Sequence, residues 1–252
     1  MEIRVEPRDR HIAVVTIANE PRRNAMTRPM MADLAALWDR LDADPECRVV
    51  VLTGAGNKAF SSGADLGGDL SASPELARTV NRALLKNTPF AKPIVAAVNG
   101  DCVAGGVELL LSTDIRAAVP EARFGLPEVK WSIYPFGGAT VKLAQQIGHV
   151  HAMDLLLTGR LVDADFAARV GLVNRVVERD RLLPWAFETA AAIAANSPSA
   201  VQAVRTQISA SIADYAQSRE ALDQELGDRV RSGPHFKEGV AAFLEKRKPE
   251  YR

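Results

Sequence analysis

The sequence predicts an α/β core followed by a helical C-terminal region, and three observations carry that reading. Val49–Thr53 and Ile94–Val98 are short, uninterrupted apolar runs rich in valine, as expected of strands buried on both faces. Each is followed by glycine-rich turns and then by a helix-forming segment. From Thr140 onward helix patterns dominate, and near residue 195 the chain becomes wholly helical. The expected organisation is therefore a core over 1–195 and a helical region over 196–252. With 252 residues, 47% of them hydrophobic, the chain can bury a substantial core.

In chain order, Ile3–Glu6 and His11–Ala18 carry strand signals separated by Pro7-Arg8-Asp9-Arg10, which predicts a hairpin. After the turn-like Asn19-Glu20-Pro21, Thr27 is placed to cap a helix. Its apolar residues Met30, Leu34, Leu37, Trp38 and Leu41 share one face, and Pro45 ends it. The Val49 strand leads into GAGNKAFSSGADLGGDLSAS, which holds a second short strand around Ala59–Ser61 and ends in a tail expected to be mobile. A helix from Pro74 to Asn87 follows. Lys92-Pro93 introduces the Ile94 strand, which turns through glycines into a helix over 106–113. Ile115–Val119 and Arg123–Phe124 are further strands, and the chain is irregular from Leu126 to Ala139. Helices are expected over 140–147, 150–157, 163–170, 179–196, 198–212, 214–230 and 235–246. No fixed-period repeat or low-complexity segment interrupts this order.

Thirty-one basic residues balance thirty-one acidic ones without a dense Lys/Arg cluster, which argues against a nucleic-acid face. No run approaches the ~18 apolar residues that span a bilayer, and the N-terminus has no apolar h-region. Two isolated cysteines, Cys47 and Cys102, make neither a disulfide framework nor a thiolate metal site. A soluble, cytoplasmic protein is the expectation.

Two turns share a design in which small residues follow buried strands: Ser61-Ser62-Gly63-Ala64-Asp65 and Val103-Ala104-Gly105-Gly106. Backbone N–H groups left free at such places can form an oxyanion hole, and the second would add the positive end of the helix beginning there. Taken alone, both read first as ordinary glycine-rich turns, which are abundant. Glu108, in that helix's first turn, complements the helix dipole in its simplest role. The Leu109-Leu110-Leu111 run behind it instead predicts a buried, poorly solvated acid. Glu128, after Phe124-Gly125-Leu126-Pro127, reads alone as a solvated loop acid; paired with Glu108 it could complete a general acid and base. The Gly54–Ala59 stretch fits a loose G-x-G-x-x-A, yet strand and turn follow where a dinucleotide site needs a helix. His149 and His151 lack a ligand cluster, and no G-x-S-x-G hydrolase signature is present.

Taken together, the ordered blocks resemble the crotonase superfamily, or enoyl-CoA hydratase/isomerase family, almost end to end. They are Asn19-Glu20-Pro21 with Asn24-Ala25-Met26, Ala59–Leu66, Lys92–Gly100, Gly105–Leu109, Ala122–Glu128, Gly137-Gly138, Leu157-Thr158-Gly159, Gly171-Leu172-Val173 and Phe243–Arg247. The resemblance implies a spiral of ββα units with a C-terminal helical trimerisation region, the trimers commonly pairing into hexamers. It implies an acyl-CoA thioester as substrate, with coenzyme A part of that substrate, and no metal or nicotinamide. The N–H groups of Ala64 and Gly105 match the family's oxyanion donors, and Glu108 and Glu128 match the two glutamates of its hydratases. Water addition to a trans-2-enoyl-CoA is the first expectation. A Δ3,Δ2-enoyl-CoA isomerase using Glu128 alone, another family reaction, or a silent CoA-binding protein are the alternatives.

For coenzyme A, the match implies backbone groups of Ala25, Ser62, Ala64, Asp65 and Leu66 around the adenine, and Arg22 or Arg23 at the phosphates. It also implies Lys246, of the same or another subunit, at a phosphate, and Phe243 at the adenine or acyl end. The N-terminal block is one residue shorter than the family's usual form, as is Pro135-Phe136-Gly137-Gly138. Ala104 stands where glycine is frequent, and Lys130, Trp131 and Tyr134 are bulkier than usual, so that either the acyl pocket is shortened or reshaped or Trp131 and Tyr134 only pack beneath it.

Overall fold

The computed structural model describes residues 1–9, 11–67 and 73–252. Strands β1 (Glu2–Asp9) and β2 (Ile12–Ala18) pair antiparallel, and α1 (Arg28–Ala43) is capped by the Thr27 hydroxyl, which accepts from the Met30 N–H. The first strand is longer than expected and contains Pro7, with a register shift between Pro7 and Asp9. It tolerates proline because it is an edge strand. Arg10, in the expected turn, and the tail at 68–72, expected to be mobile, lie outside the described residues.

Three successive passes then build the body. β3 (Val49–Gly54) is followed by β4 (Ala59–Ser61) and α2 (Pro74–Ala83). β5 (Ile94–Val98) is followed by β6 (Asp101–Val103) and α3 (Gly105–Leu110). β7 (Ile115–Ala118) is followed by β8 (Arg123–Gly125) and a short 3-10 helix, Pro127–Trp131. Each pass lays its first strand in a six-stranded sheet and its second in a four-stranded one, and like strands pair in parallel. This is a spiral of ββα units. Every residue of β3 and β5 is buried, which accounts for their unbroken apolar sequence.

The remainder comprises α4 (Ala139–Ile147), α5 (His149–Thr158), β9 (Val162–Asp163), α6 (Ala164–Arg169), β10 (Arg175–Val176), α7 (Arg179–Ala194), α8 (Pro198–Ser232) and α9 (Pro234–Glu245). The two helices expected over 198–212 and 214–230 are one continuous helix of 35 residues. Ala213 and Asp214 offer no breaker at the expected break, and Ala213 is buried. Strands β6, β9 and β10 escaped the sequence reading because two or three residues cannot display a period.

Two helices stop early for local reasons. In α2, Leu84 caps the end and Leu85 takes φ 50°, while the Trp38 indole donates to the Ala83 carbonyl at 2.9 Å. Beyond α3, the Thr113 hydroxyl donates to the Leu110 carbonyl at 2.7 Å, competing with the helical ladder. Fully buried Trp38, Phe60, Phe90 and Phe124 anchor the core. The C-terminal helices fold back on it, α8 against α4 and α9 against the 3-10 helix. Among the described residues no helix is long and apolar enough to cross a membrane.

Candidate active site

Two consecutive passes of the spiral bring the small-residue turns together. Gly63 has φ 89°, and a Cβ there would lie 2.7 Å from the Gly105 nitrogen. A Cβ on Gly105 would in turn lie 3.5 Å from the Ala64 nitrogen. The two N–H groups are therefore neighbours, and neither donates to another described residue. Because α3 has only six residues, the free N–H groups rather than a long helix dipole supply the local positive potential.

Ala104, at the corner between β6 and α3, holds φ 54° and ψ −127°, a conformation that glycine adopts readily and alanine only under strain. Such a residue costs about 1–3 kcal/mol. We expect Ala104→Gly to raise stability by about 1 kcal/mol once glycine's extra unfolded-state entropy is set against the relieved strain. A lower urea midpoint for Ala104→Gly than for the parent would contradict this.

One turn beyond Gly105, Glu108 is 5% exposed. Its Oε1 accepts from the Ala139 N–H at 3.2 Å, so the start of α4 holds the carboxylate. Gly137 lies against the same group: a Cβ there would sit 2.3 Å from Glu108 Oε2. Burial pushes the Glu108 carboxyl well above its ordinary range, opposed by these backbone N–H groups and by the Lys86 ammonium. Glu128, aimed by the 3-10 helix, is 8% exposed, and its Oε2 has no hydrogen-bond partner among the described residues. Burial and then the charge of Glu108 push it upward. Two poorly solvated carboxyls of this kind resist simultaneous ionisation, and backbone N–H donation favours Glu108 as the charged member.

A buried network borders the pair. Asp223 of α8 accepts from Lys86 Nζ at 2.5 Å, from the Tyr134 hydroxyl at 2.6 Å and from the Thr140 hydroxyl at 3.1 Å. Tyr134 also packs edge-on against Phe136. Nothing in the sequence periodicity distinguishes Lys86 or Asp223 from solvated residues of amphipathic helices, so both were missed; so was the Ala139 N–H, a backbone group without a side-chain signature.

The segments named for coenzyme A fall into two groups. Residues 22–26 and 62–65 are laced together: Ser62 N–H donates to the Arg23 carbonyl at 3.0 Å, Met26 N–H to Gly63, and Asp65 N–H to Met26. Arg22 pairs with Asp65 at 3.0 Å and Arg23 with Asp101 at 3.2 Å, and both guanidinium groups are largely exposed. Ala25 is buried and Leu66 half-buried. In the second group, Phe243 of α9 packs edge-on against Trp131, three residues from Glu128. Lys246 caps α9 with φ 57° and is exposed. No hydrogen bond or ion pair among the described residues joins Lys246 to 62–66.

Residues 8–252 match the family model for enoyl-CoA hydratase/isomerase. The chain belongs to the enoyl-CoA hydratase/isomerase family. It is 41% identical over 249 residues to enoyl-CoA hydratase EchA19 of Mycobacterium tuberculosis, with 96% of this chain and 93% of that protein covered. It is 36% identical to the short-chain-enoyl-CoA hydratase of Clostridium acetobutylicum, covering 95% and 93% of the two chains. Among solved structures, a carnitinyl-CoA hydratase from Mycobacterium avium superposes with a TM-score of 0.90 at 32% identity, covering 99% of this chain and 98% of that one. The enoyl-CoA hydratase/isomerase blocks at Ala59–Leu66, Gly105–Leu109, Ala122–Glu128 and Gly137-Gly138 are the segments that build the paired turns and the two-carboxyl site.

Proposed function

We propose that this protein is an enoyl-CoA hydratase, a hydro-lyase that adds water to a trans-2-enoyl-CoA to give a 3-hydroxyacyl-CoA. The observation that carries the reading is the pair of buried carboxyls of unequal solvation beside two unpartnered N–H groups. Glu108, favoured as carboxylate, takes a proton from water as its oxygen adds to Cβ. The electron pair moves to the thioester oxygen, where the Ala64 and Gly105 N–H groups donate to the enolate. Glu128, favoured as the acid, then delivers its proton to Cα, and proton exchange between the carboxyls resets the site.

In the same reading, Ala25, Ser62, Ala64, Asp65 and Leu66 frame the adenine, Arg22 or Arg23 and Lys246 meet phosphates, and Phe243 closes the acyl end with Trp131. Assembly into trimers, alone or paired as hexamers, is supported by α8. Val204, Ile208, Tyr215 and Leu222 are exposed apolar residues, and their spacing places all four on one helical stripe. The test is incubation with crotonyl-CoA. We expect loss of the conjugated-thioester absorbance and a product heavier by one water. If crotonyl-CoA persists while a 3-enoyl-CoA is converted to it, the activity is isomerisation instead; saturable CoA binding without turnover across a panel of enoyl-CoAs would mark a silent binder.

A further inference from the structure

A cavity of about 430 Å³ opens between α4 and α8, at the C-terminal end of α3 and thus at the opposite end of that helix from Gly105. We infer that it binds a small organic anion, with a carboxylate or phosphate head between Arg205 and Lys142 and an apolar body against Phe90 and Ile212.

Charge is the first ground. Among the described residues the cavity wall carries Lys86, Arg116, Lys142 and Arg205 but one carboxylate, Asp114. Lys86 is matched by Asp223 and Glu220. Three cations then remain against Asp114, which pairs with Arg205 Nε at 2.8 Å. Arg116 spends its hydrogen bonds on neutral oxygens, those of Thr113 and Leu172. Lys142 Nζ does the same with the Leu85 carbonyl at 2.6 Å and the Ser112 hydroxyl at 2.8 Å, leaving its third donor unused. Asp114 acts on Arg116 and Glu108 on Lys142 only through space, so neither cation has a carboxylate bonded to it, and buried cations bonded to neutral dipoles alone are costly.

Satisfaction is the second ground. Arg205 is 8% exposed and its guanidinium lies over the Phe90 ring, 5.6 Å from the centroid, yet its Nη1 is a buried donor with no hydrogen-bond partner among the described residues. Gln146 Oε1, from the same wall, is a buried acceptor with no partner among the described residues; a protonated phosphate oxygen can satisfy it, whereas a carboxylate cannot, so it does not support a carboxylate head. Unpaired buried groups are rare in folded proteins, and a charge-assisted bond from guanidinium to an oxyanion is among the stronger ways to satisfy one. The volume is that of a small-molecule site, and Phe90, Leu172 and Ile212 give it an apolar side. Burial pushes the Lys142 ammonium down to about 7, with Lys86, Arg116 and Arg205 adding to that push against Glu108, so an anion arriving here would restore its charge.

The experiment uses the full chain with saturating coenzyme A, so that phosphate-binding groups of the thioester site are occupied, at constant ionic strength in chloride. Inorganic phosphate and hexanoate are titrated separately while Tm is followed. We expect a saturable rise with at least one probe; phosphate alone identifies a phosphate head, hexanoate alone a carboxylate. Gln146→Glu, which places a competing carboxylate on the wall, and Arg205→Met should each weaken binding about tenfold or more, in line with loss of a charge-assisted contact. Gln146→Glu keeps the test open if Arg205→Met fails to fold. Absence of a saturable rise with either probe overturns the inference, as does unchanged affinity in Gln146→Glu.

Discussion

Glu128→Gln is expected to lower kcat for crotonyl-CoA hydration by about 10²–10⁴-fold, the usual contribution of a positioned acid or base, while leaving CoA affinity unchanged. Glutamine keeps the size of the side chain but has no proton to deliver to Cα. Glu108→Gln should fall as far for the complementary reason, since an amide accepts no proton from water. The two losses should not add in the double variant, because the carboxyls serve one proton inventory.

Stability should move the other way. Both carboxyls are raised above the ordinary value of 4.5, so between that value and their folded values the native state binds more protons than the unfolded chain. Stability contributed by protonation is present below 4.5 and lost as pH rises through the folded values. Glutamine removes this loss, so Glu128→Gln should be more stable than the parent near pH 8 and no more stable near pH 4. Urea midpoints at the two pH values, read beside crotonyl-CoA turnover, decide the matter. Near-parental turnover in either single variant would exclude the two-acid mechanism, and an equal stability change at both pH values would exclude the buried-charge explanation.

The parts of this site that were legible in sequence are those whose signal is local. A glycine turn after a buried strand, or a glutamate facing three leucines, can be read from a few residues, and Gly105 and Glu108 emerged that way. The ordered blocks pair Ala64 with Gly105 and Glu108 with Glu128 through the family resemblance alone. What stayed hidden depends on contacts between distant segments. Asp223 looks like any polar position of a long helix, yet it gathers Lys86, Tyr134 and Thr140 across 137, 89 and 83 residues of sequence. The continuity of α8 is hidden for another reason: its apolar positions answer both to the core and to an exposed stripe, which blurs any single-face periodicity along it.

Gly63→Ala is expected to have the next largest effect, with kcat falling by about 10²–10³-fold, comparable to losing an oxyanion donor. The reason is steric and specific. The new Cβ would lie 2.7 Å from the Gly105 nitrogen, 3.0 Å from Ala104 Cβ and 3.3 Å from the Val103 carbonyl oxygen. These are backbone or near-backbone atoms of a corner already strained at Ala104, so relief requires moving one N–H away from the other. Positive φ at Gly63 adds a cost of about 1–3 kcal/mol to stability. Gly105→Ala is the graded control, because its Cβ would meet Gly63 Cα at 3.2 Å and the Ala64 nitrogen at 3.5 Å, a milder conflict. Turnover should therefore rank parent, Gly105→Ala, Gly63→Ala. Destabilisation alone could lower apparent activity, so the deciding measurement is the carbonyl stretch of a bound acyl-CoA thioester by infrared difference spectroscopy. Two N–H donors should shift it to lower frequency in the parent, and the shift should shrink in folded Gly63→Ala. A folded Gly63→Ala protein with the parental frequency and parental kcat would remove Ala64 and Gly105 from the chemistry.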